Sequence, residues 1–189
     1  MNDIPVIDIA GLSSDDAADR RAIAAQIGRA CREVGFFVIT GHGVPVPLID
    51  ATFAESARLF AQPADFKRAM SIDRLGSNRG YVGLGVEALD EKTAADHKEA
   101  FNLIWTDGAT RPDNAWPGLP GFRDTVQRYF DGVLAVGARL HQAFALDLDL
   151  PEDFMADREQ PADDFRDPFA LGDAAPKRAA RSQQKPRRG

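Results

Sequence analysis

The apolar positions of this chain repeat with two rhythms, and the switches between them outline its elements. The opening Ile4-Pro5-Val6-Ile7-Asp8-Ile9 is β-rich and closes at Gly11, which predicts a short strand. Ser13 and Ser14 are suited to cap a helix beginning among Asp15 and Asp16, acids that complement the positive end of a helix. Ile23, Ile27, Cys31 and Val34 then recur at three- and four-residue spacing and predict one buried stripe. Cys31 reads as a small core residue on that stripe, with no neighbour that would make it a reactive thiol. Gly35 ends the helix, and residues 36–40 form an apolar run with the look of a buried strand. Gly41-His42-Gly43-Val44-Pro45 predicts a tight turn. A second helix is expected over residues 47–61, with Pro47 in its first turn, a stripe of Ile49, Phe53, Ala57 and Phe60, and a break at Pro63.

The pattern is weaker across residues 71–121. Asn78-Arg79-Gly80-Tyr81-Val82-Gly83 reads as a loop, residues 98–105 as a candidate strand, and Asn114-Ala115-Trp116-Pro117 as another turn. A long helix is predicted over residues 121–146, with Phe122, Val126, Tyr129, Val133, Gly137, Leu140 and Phe144 on one face. After Phe154-Met155 the periodicity dissolves.

Composition narrows the class. The chain has 189 residues, 44% hydrophobic and 28% charged, enough for one domain or one domain with an appendage. Lys and Arg total 23 against 29 Asp and Glu, a net charge of −6, which argues against a general affinity for nucleic acid. One cysteine excludes an intrachain disulfide and a thiolate-rich zinc site. The first residues lack the basic start and apolar stretch of a secretory signal, and no apolar run approaches the length of a membrane span. A cytoplasmic protein is expected. Residues 157–189 hold six acids and eight bases, and every charge from Lys177 onward is positive, so the acidic excess belongs to the body of the chain.

Any imidazole chemistry must draw on His42, His97 and His141. His97-Lys98-Glu99 is formally an H-x-E, and with His141 it has the composition of the two-histidine, one-carboxylate face that holds non-haem Fe(II). A strand would point residues 97 and 99 the same way. His141, however, falls roughly 80° from the centre of the long helix's apolar stripe at ~100° per residue, a common place for a structural histidine. His42, between two glycines, suits a turn in which the ring bonds to neighbouring backbone. Gly80, Gly83 and Gly85 lack the order of a phosphate loop, and no G-x-S-x-G elbow is present.

Taken in order, several segments resemble the N-terminal part of the isopenicillin N synthase-like, Fe(II)- and 2-oxoglutarate-dependent oxygenases. They are Ile4-Pro5-Val6-Ile7-Asp8, Cys31-Arg32-Glu33-Val34-Gly35-Phe36-Phe37, Gly41-His42-Gly43-Val44-Pro45, Arg79-Gly80-Tyr81, Lys98-Glu99-Ala100-Phe101, Asn114-Ala115-Trp116-Pro117 and Leu148-Asp149-Leu150-Pro151-Glu152-Asp153-Phe154. The resemblance implies an α+β fold: the helix-rich N-terminal region, residues 1–156, of a double-stranded β-helix (jelly-roll) oxygenase whose catalytic barrel is largely absent. Residues 157–189 are expected to be an irregular tail, the product of a truncation or a shifted reading frame, the alternative being a natural short protein with a solvated tail.

In complete family members the barrel carries an H-x-D pair, a distal His and an R-x-S that grips 2-oxoglutarate; this sequence contains neither H-x-D nor R-x-S. The resemblance therefore implies Fe(II) and 2-oxoglutarate for the full-length family, with neither bound tightly by this chain, no catalytic or metal-binding residue within it, and a small-molecule substrate in the complete enzyme. Arg79 and Tyr81 are its substrate-facing candidates, against the plainer expectation that Tyr81 packs and Arg79 pairs with a surface acid. Two rivals stand beside this reading: a non-enzymatic interaction module, and an active iron enzyme using His97, Glu99 and His141.

Overall fold

A computed structural model describes residues 3–86, 97–106 and 113–155. Strand β1, Val6–Asp8, leads through a single 3-10 turn, Ala10–Ser13, into helix α1, Ala17–Glu33, and then strand β2, Val38–Thr40. Helices α2, Val46–Phe60, α3, Ala64–Arg68, and α4, Ile72–Leu75, follow. Strands β3, Gly80–Val82, and β4, Ala100–Asn102, precede the long helix α5, Phe122–Asp147. The strands form two separate pairs. β1 and β2 run parallel with Ile7 opposite Ile39, and β3 and β4 run antiparallel with Tyr81 opposite Phe101. This mixture of helices and small sheets is the α+β character expected. Among the described residues no helix is long and apolar enough to cross a membrane.

Helix α1 begins on Asp16, whose carboxylate accepts the Ala18 N–H at 2.8 Å. Ser14, one of the two expected caps, instead accepts the Asp16 N–H and donates to Asp19, bracing the chain just ahead of the helix. The helix stops where Gly35 takes a φ of +84°, a conformation that side chains with a Cβ resist. Helix α2 follows the expected start, with proline in its first turn.

Two cores result. Ile7, Ile9 and Leu12 meet Ala24, Ile27 and Ala30 of α1 and Val136 and Ala143 of α5. Leu59 of α2 meets Phe122 and Val126 of α5, with Phe66, Phe101 and Trp116 packed around them. Each large aliphatic side chain removed from water contributes about 1.5–3 kcal/mol, so α5, which borders both clusters, unites the two halves of the molecule. Its end is fixed by a close approach. A Cβ on Gly28 would overlap the Asp147 carboxylate, and that carboxylate is held by both terminal nitrogens of Arg32, at 2.6 and 3.3 Å. One missing side chain and one cation, a helical turn apart on α1, make the socket for the last residue of α5.

The structure corrects several expectations. Cys31 is exposed rather than part of the core, because α5 ends at Asp147 beside Gly28 and Arg32 and no further turn of it covers the last turn of α1. On α2 the packed face is rotated away from the expected stripe: Leu59 is buried, whereas Phe53 is 72% exposed and Ala57 is exposed. Thr52 and Ser56 are half-buried on the packed side, their hydroxyls donating to the carbonyls of Leu48 and Thr52, so polar residues serve where hydropathy placed a solvent face. Val133 of α5 lies outside the core, and Val136, which the stripe omitted, lies inside it.

Residues 36–40 are not a buried strand. Phe36 and Val38 are exposed while Phe37 and Ile39 pack inward, so the first sheet presents Ile4, Val6, Phe36 and Val38 on an open apolar face. Residues 80–82, expected to be a loop, form a fully buried strand. The boundary expected at residue 156 and the tail beyond it lie outside the described residues.

The corrected face of α2 gives a direct test. Leu59→Ala should lower unfolding stability by roughly 2–4 kcal/mol in urea melts. Phe53→Ala should stay within about 0.5 kcal/mol of the parent; equal losses at the two positions would restore the stripe read from hydropathy.

Candidate functional site

The β3–β4 hairpin gathers the polar side chains that the sequence singled out. Gly80 opens β3 with a φ of +131°, and a Cβ there would collide with the Met70 carbonyl oxygen, so only glycine lets the strand pass so near the turn before α4. The same carbonyl accepts the Tyr81 N–H at 2.8 Å. On the far side, Asn114 behaves as a one-residue strand: its carboxamide accepts the Ile104 N–H and donates to the Ile104 carbonyl, both at 2.9 Å. Phe101 meets Phe122 edge to face at 5.9 Å, which ties β4 to the start of α5.

Tyr81 and Glu99 project from the hairpin onto α3. The Tyr81 hydroxyl donates to Glu99 Oε2 at 2.6 Å, and the Lys67 ammonium donates to the same oxygen at 2.7 Å and to the Phe60 carbonyl at 2.9 Å. Lys67 is buried and also sits 5.4 Å from the centre of the Tyr81 ring. The ammonium, and next the phenol, hold the Glu99 carboxyl below its usual range. Burial, and then the carboxylate, push the Tyr81 phenol up to about 12. The cluster therefore stays ionised at Glu99 and neutral at Tyr81 through the physiological range. It forms one wall of a cleft of about 420 Å³, whose other walls include Ile72, Leu84 and Val86.

A second groove of about 420 Å³ runs between α2, α5 and the end of β4. Val126, Tyr129, Phe130, Val133, Leu134 and Leu103 line it. Its surface is carbon almost throughout, so it suits apolar side chains rather than a polar ligand.

The expected residues have different fates. Tyr81 packs, as the plainer expectation had it, with its hydroxyl committed to Glu99. Arg79 is half-buried and does not pair with a surface acid: no described carboxylate forms an ion pair with it, and its Nε is buried without a hydrogen-bond partner. His42 braces its own turn, Nδ1 accepting the Val44 N–H at 3.1 Å, while its carbonyl accepts from Arg139 of α5.

The rival iron site through His97, Glu99 and His141 is not assembled. Among the described residues no three His, Cys, Asp or Glu side chains converge as a metal site, and Glu99 is engaged by Lys67 and Tyr81. The described residues thus do not fit Fe(II), and no chemical step follows from them through it. Lys67 went unnoticed in the sequence because a single lysine in a short helix carries no spacing signal for a carboxylate 32 residues later.

Comparison with known proteins adds the wider frame. The family described as "non-haem dioxygenase in morphine synthesis N-terminal" matches residues 4–119. The "2-oxoglutarate-Fe(II) type oxidoreductase ppzC" of Metarhizium majus is 30% identical over 199 residues, a match spanning 92% of this chain and 53% of that protein. The chain spans about half the length of the curated relatives it matches. The apo structure of a C-terminally truncated protein of Neurospora crassa superposes with a TM-score of 0.70 at 21% identity, covering 82% of this chain and 57% of that one, which is a likeness of fold. JOX2 in complex with 2OG, Fe and JA superposes with a TM-score of 0.65 at 29% identity, covering 82% of this chain and 44% of that one.

The polar cluster makes a prediction with a definite sign. Because the folded-state pKa of Glu99 lies below its unfolded value, its contribution is complete above the ordinary glutamate pKa of about 4.3 and is lost as pH falls through the folded value. Tyr81 acts oppositely: between about pH 10 and its raised value of about 12, stability declines as pH rises. Glu99→Gln should cost about 1–2 kcal/mol at pH 7, the discount reflecting Glu99's partial exposure, and should flatten the acid limb of a stability profile. A profile identical to the parent between pH 3 and 7 would show that the cluster stores no such energy.

Proposed function

Because the chain belongs to the family of non-haem dioxygenase N-terminal regions, we propose that it supplies the N-terminal part of a 2-oxoglutarate- and Fe(II)-dependent oxygenase acting on a small organic molecule. The observation that carries the reading is the match over residues 4–119 together with relatives of this activity of which the chain spans about half. The iron and 2-oxoglutarate ligands belong, in this reading, to the portion of those relatives outside the match. The 189-residue polypeptide by itself is accordingly silent in catalysis.

Arg79 and Tyr81 are the residues of this half proposed to face the substrate, with different parts to play. Tyr81 shapes the cleft with its ring, since its hydroxyl is committed to Glu99. Arg79 retains side-chain donors that no described residue accepts from. A second reading, a binding module without chemistry, draws on the open apolar sheet face and the carbon-lined groove, since contiguous apolar surface of this kind marks a contact site.

Two measurements separate these readings. A chimera in which residues 4–155 replace the aligned part of the Metarhizium majus relative should fold, bind Fe(II) and convert 2-oxoglutarate to succinate. The isolated chain should give the same weak Fe(II) titration as its His97→Ala variant. A folded chimera without iron binding would favour the binding module, and Fe(II) binding lost on His97→Ala would overturn the proposal.

A further inference from the structure

We propose that His42 is a proton-operated latch on the start of α2, closed by the neutral ring and released by the imidazolium, a device that stands whether or not the oxygenase reading holds. The short turns of the chain differ in the chemistry of their acceptors. Backbone N–H groups donate to the side chain two residues earlier from Ala10 to Asp8, Asp16 to Ser14, Ala18 to Asp16 and Arg79 to Ser77. Each of those acceptors is an oxygen. In the turn before α2 the Val44 N–H donates to His42, and the acceptor is the ring nitrogen Nδ1, at 3.1 Å. Carboxylate and hydroxyl groups keep acceptor lone pairs, whereas an imidazole has a single acceptor nitrogen and loses it on protonation. The bond therefore requires a neutral ring with its proton on Nε2. In the imidazolium, two N–H groups would face each other across the same gap.

Downstream of the ring the turn has few other restraints. Gly41 and Gly43 flank the histidine at φ values of +65° and +78°, so neither neighbour carries a Cβ that would limit the backbone once the bond is lost. Pro45 stands at the N-cap of α2 and offers it no side-chain acceptor. The N–H groups of Leu48 and Ile49 both donate to the Pro45 carbonyl, at 2.9 and 3.1 Å, so the helix start inherits the position of the turn. Val44 is the apolar anchor. It packs against the first core, and one of its methyls lies 3.6 Å from where a Cβ on Gly132 of α5 would stand. The bond to Nδ1 thus orients Val44 and, through it, the helix that forms one wall of the carbon-lined groove.

Charged groups border the turn from three sides. Asp8 of β1 lies where a Cβ on Gly41 would overlap its carboxylate, and its Oδ1 is already taken by the Ala10 N–H. Arg139 of α5 donates to the His42 carbonyl and to Ser13 Oγ of the 3-10 turn. Asp131, next to Gly132 on α5, accepts from Gln127 at 2.8 Å, and Asp50 is exposed on α2. A guanidinium bonded to the histidine's own carbonyl adds like-charge repulsion to the lost bond, with Asp8 as the opposing charge. Whatever that balance does to the midpoint, protonation removes the acceptor, and the Val44 bond cannot outlast it.

The test is a titration of the 15N-labelled 189-residue chain from about pH 8 down to about pH 5. The His42 ring signals are identified by their loss in His42→Asn. At the upper end the ring shifts should report a bare Nδ1 and a proton on Nε2. As the pH falls, the Val44 amide should move with the same midpoint as the ring. Hydrogen exchange at Leu48 and Ile49, corrected for its intrinsic dependence on pH, should then speed up about tenfold. His42→Asn puts a carbonyl oxygen that does not titrate in place of the ring nitrogen and should abolish that step. If His42→Asn fails to fold, His97→Asn and His141→Asn each remove one of the other rings and leave the His42 signals by elimination. A proton on Nδ1 at the upper end, a Val44 amide indifferent to the ring, or unchanged exchange at Leu48 and Ile49 would overturn the proposal. A tenfold step that survives in His42→Asn would also overturn it, by assigning the response to another group.

Discussion

The contact between α1 and α5 organises everything else in this molecule. Asp147 reaches α1 only because residue 28 has no side chain, and once there it is gripped by Arg32 across 115 positions of sequence. With that end fixed, α5 lays Val136 and Ala143 against the first core and Phe122 and Val126 against the second. The loop-closure entropy of so distant a contact is met by apolar burial along the whole length of the helix, with the ion pair setting register rather than supplying most of the energy. The β1–α1–β2 unit and the hairpin are separate sheets, and α5 is the beam that both lean on.

The hairpin depends on a different principle, satisfaction of polar groups removed from water. Lys67, Glu99 and Tyr81 would each be costly to bury alone, and together they satisfy one another where α3 meets the hairpin. Asn114 does the same for the backbone at Ile104. Arg79, the residue just ahead of β3, is the contrast: the Tyr81 hydroxyl and N–H both find acceptors, whereas the buried Arg79 Nε has no hydrogen-bond partner among the described residues.

Much of the helical frame was legible because periodicity reports burial when one face is apolar. The long helix was expected over residues 121–146 and occupies Phe122–Asp147, and the second was expected over 47–61 and occupies Val46–Phe60. Periodicity misled wherever a polar residue packed or an apolar one did not. Thr52 and Ser56 bond to their own helix and so tolerate the interior, which turns Phe53 outward. Cys31 has the right spacing but lies where its partner helix has ended. The β3 strand was invisible because three residues beginning with glycine carry no alternation, and their strand character comes from β4 and from the Met70 carbonyl. At the site, Arg79 and Tyr81 were marked by the family resemblance, whereas the partnership of Lys67 with Glu99 is a tertiary fact without a local signal.

Asn114 has one more consequence. By occupying both backbone groups of Ile104 with a single side chain, it closes the hydrogen-bonding edge of the chain leaving β4. A foreign strand arriving at that position would find no donor or acceptor to pair with. Among the described residues the first sheet has no such seal: it is two strands wide and carries Val6 and Val38 in register on its outer face. Strand addition at Ile104 is thereby blocked by a side chain of the same polypeptide, a protection that the first sheet lacks among the described residues.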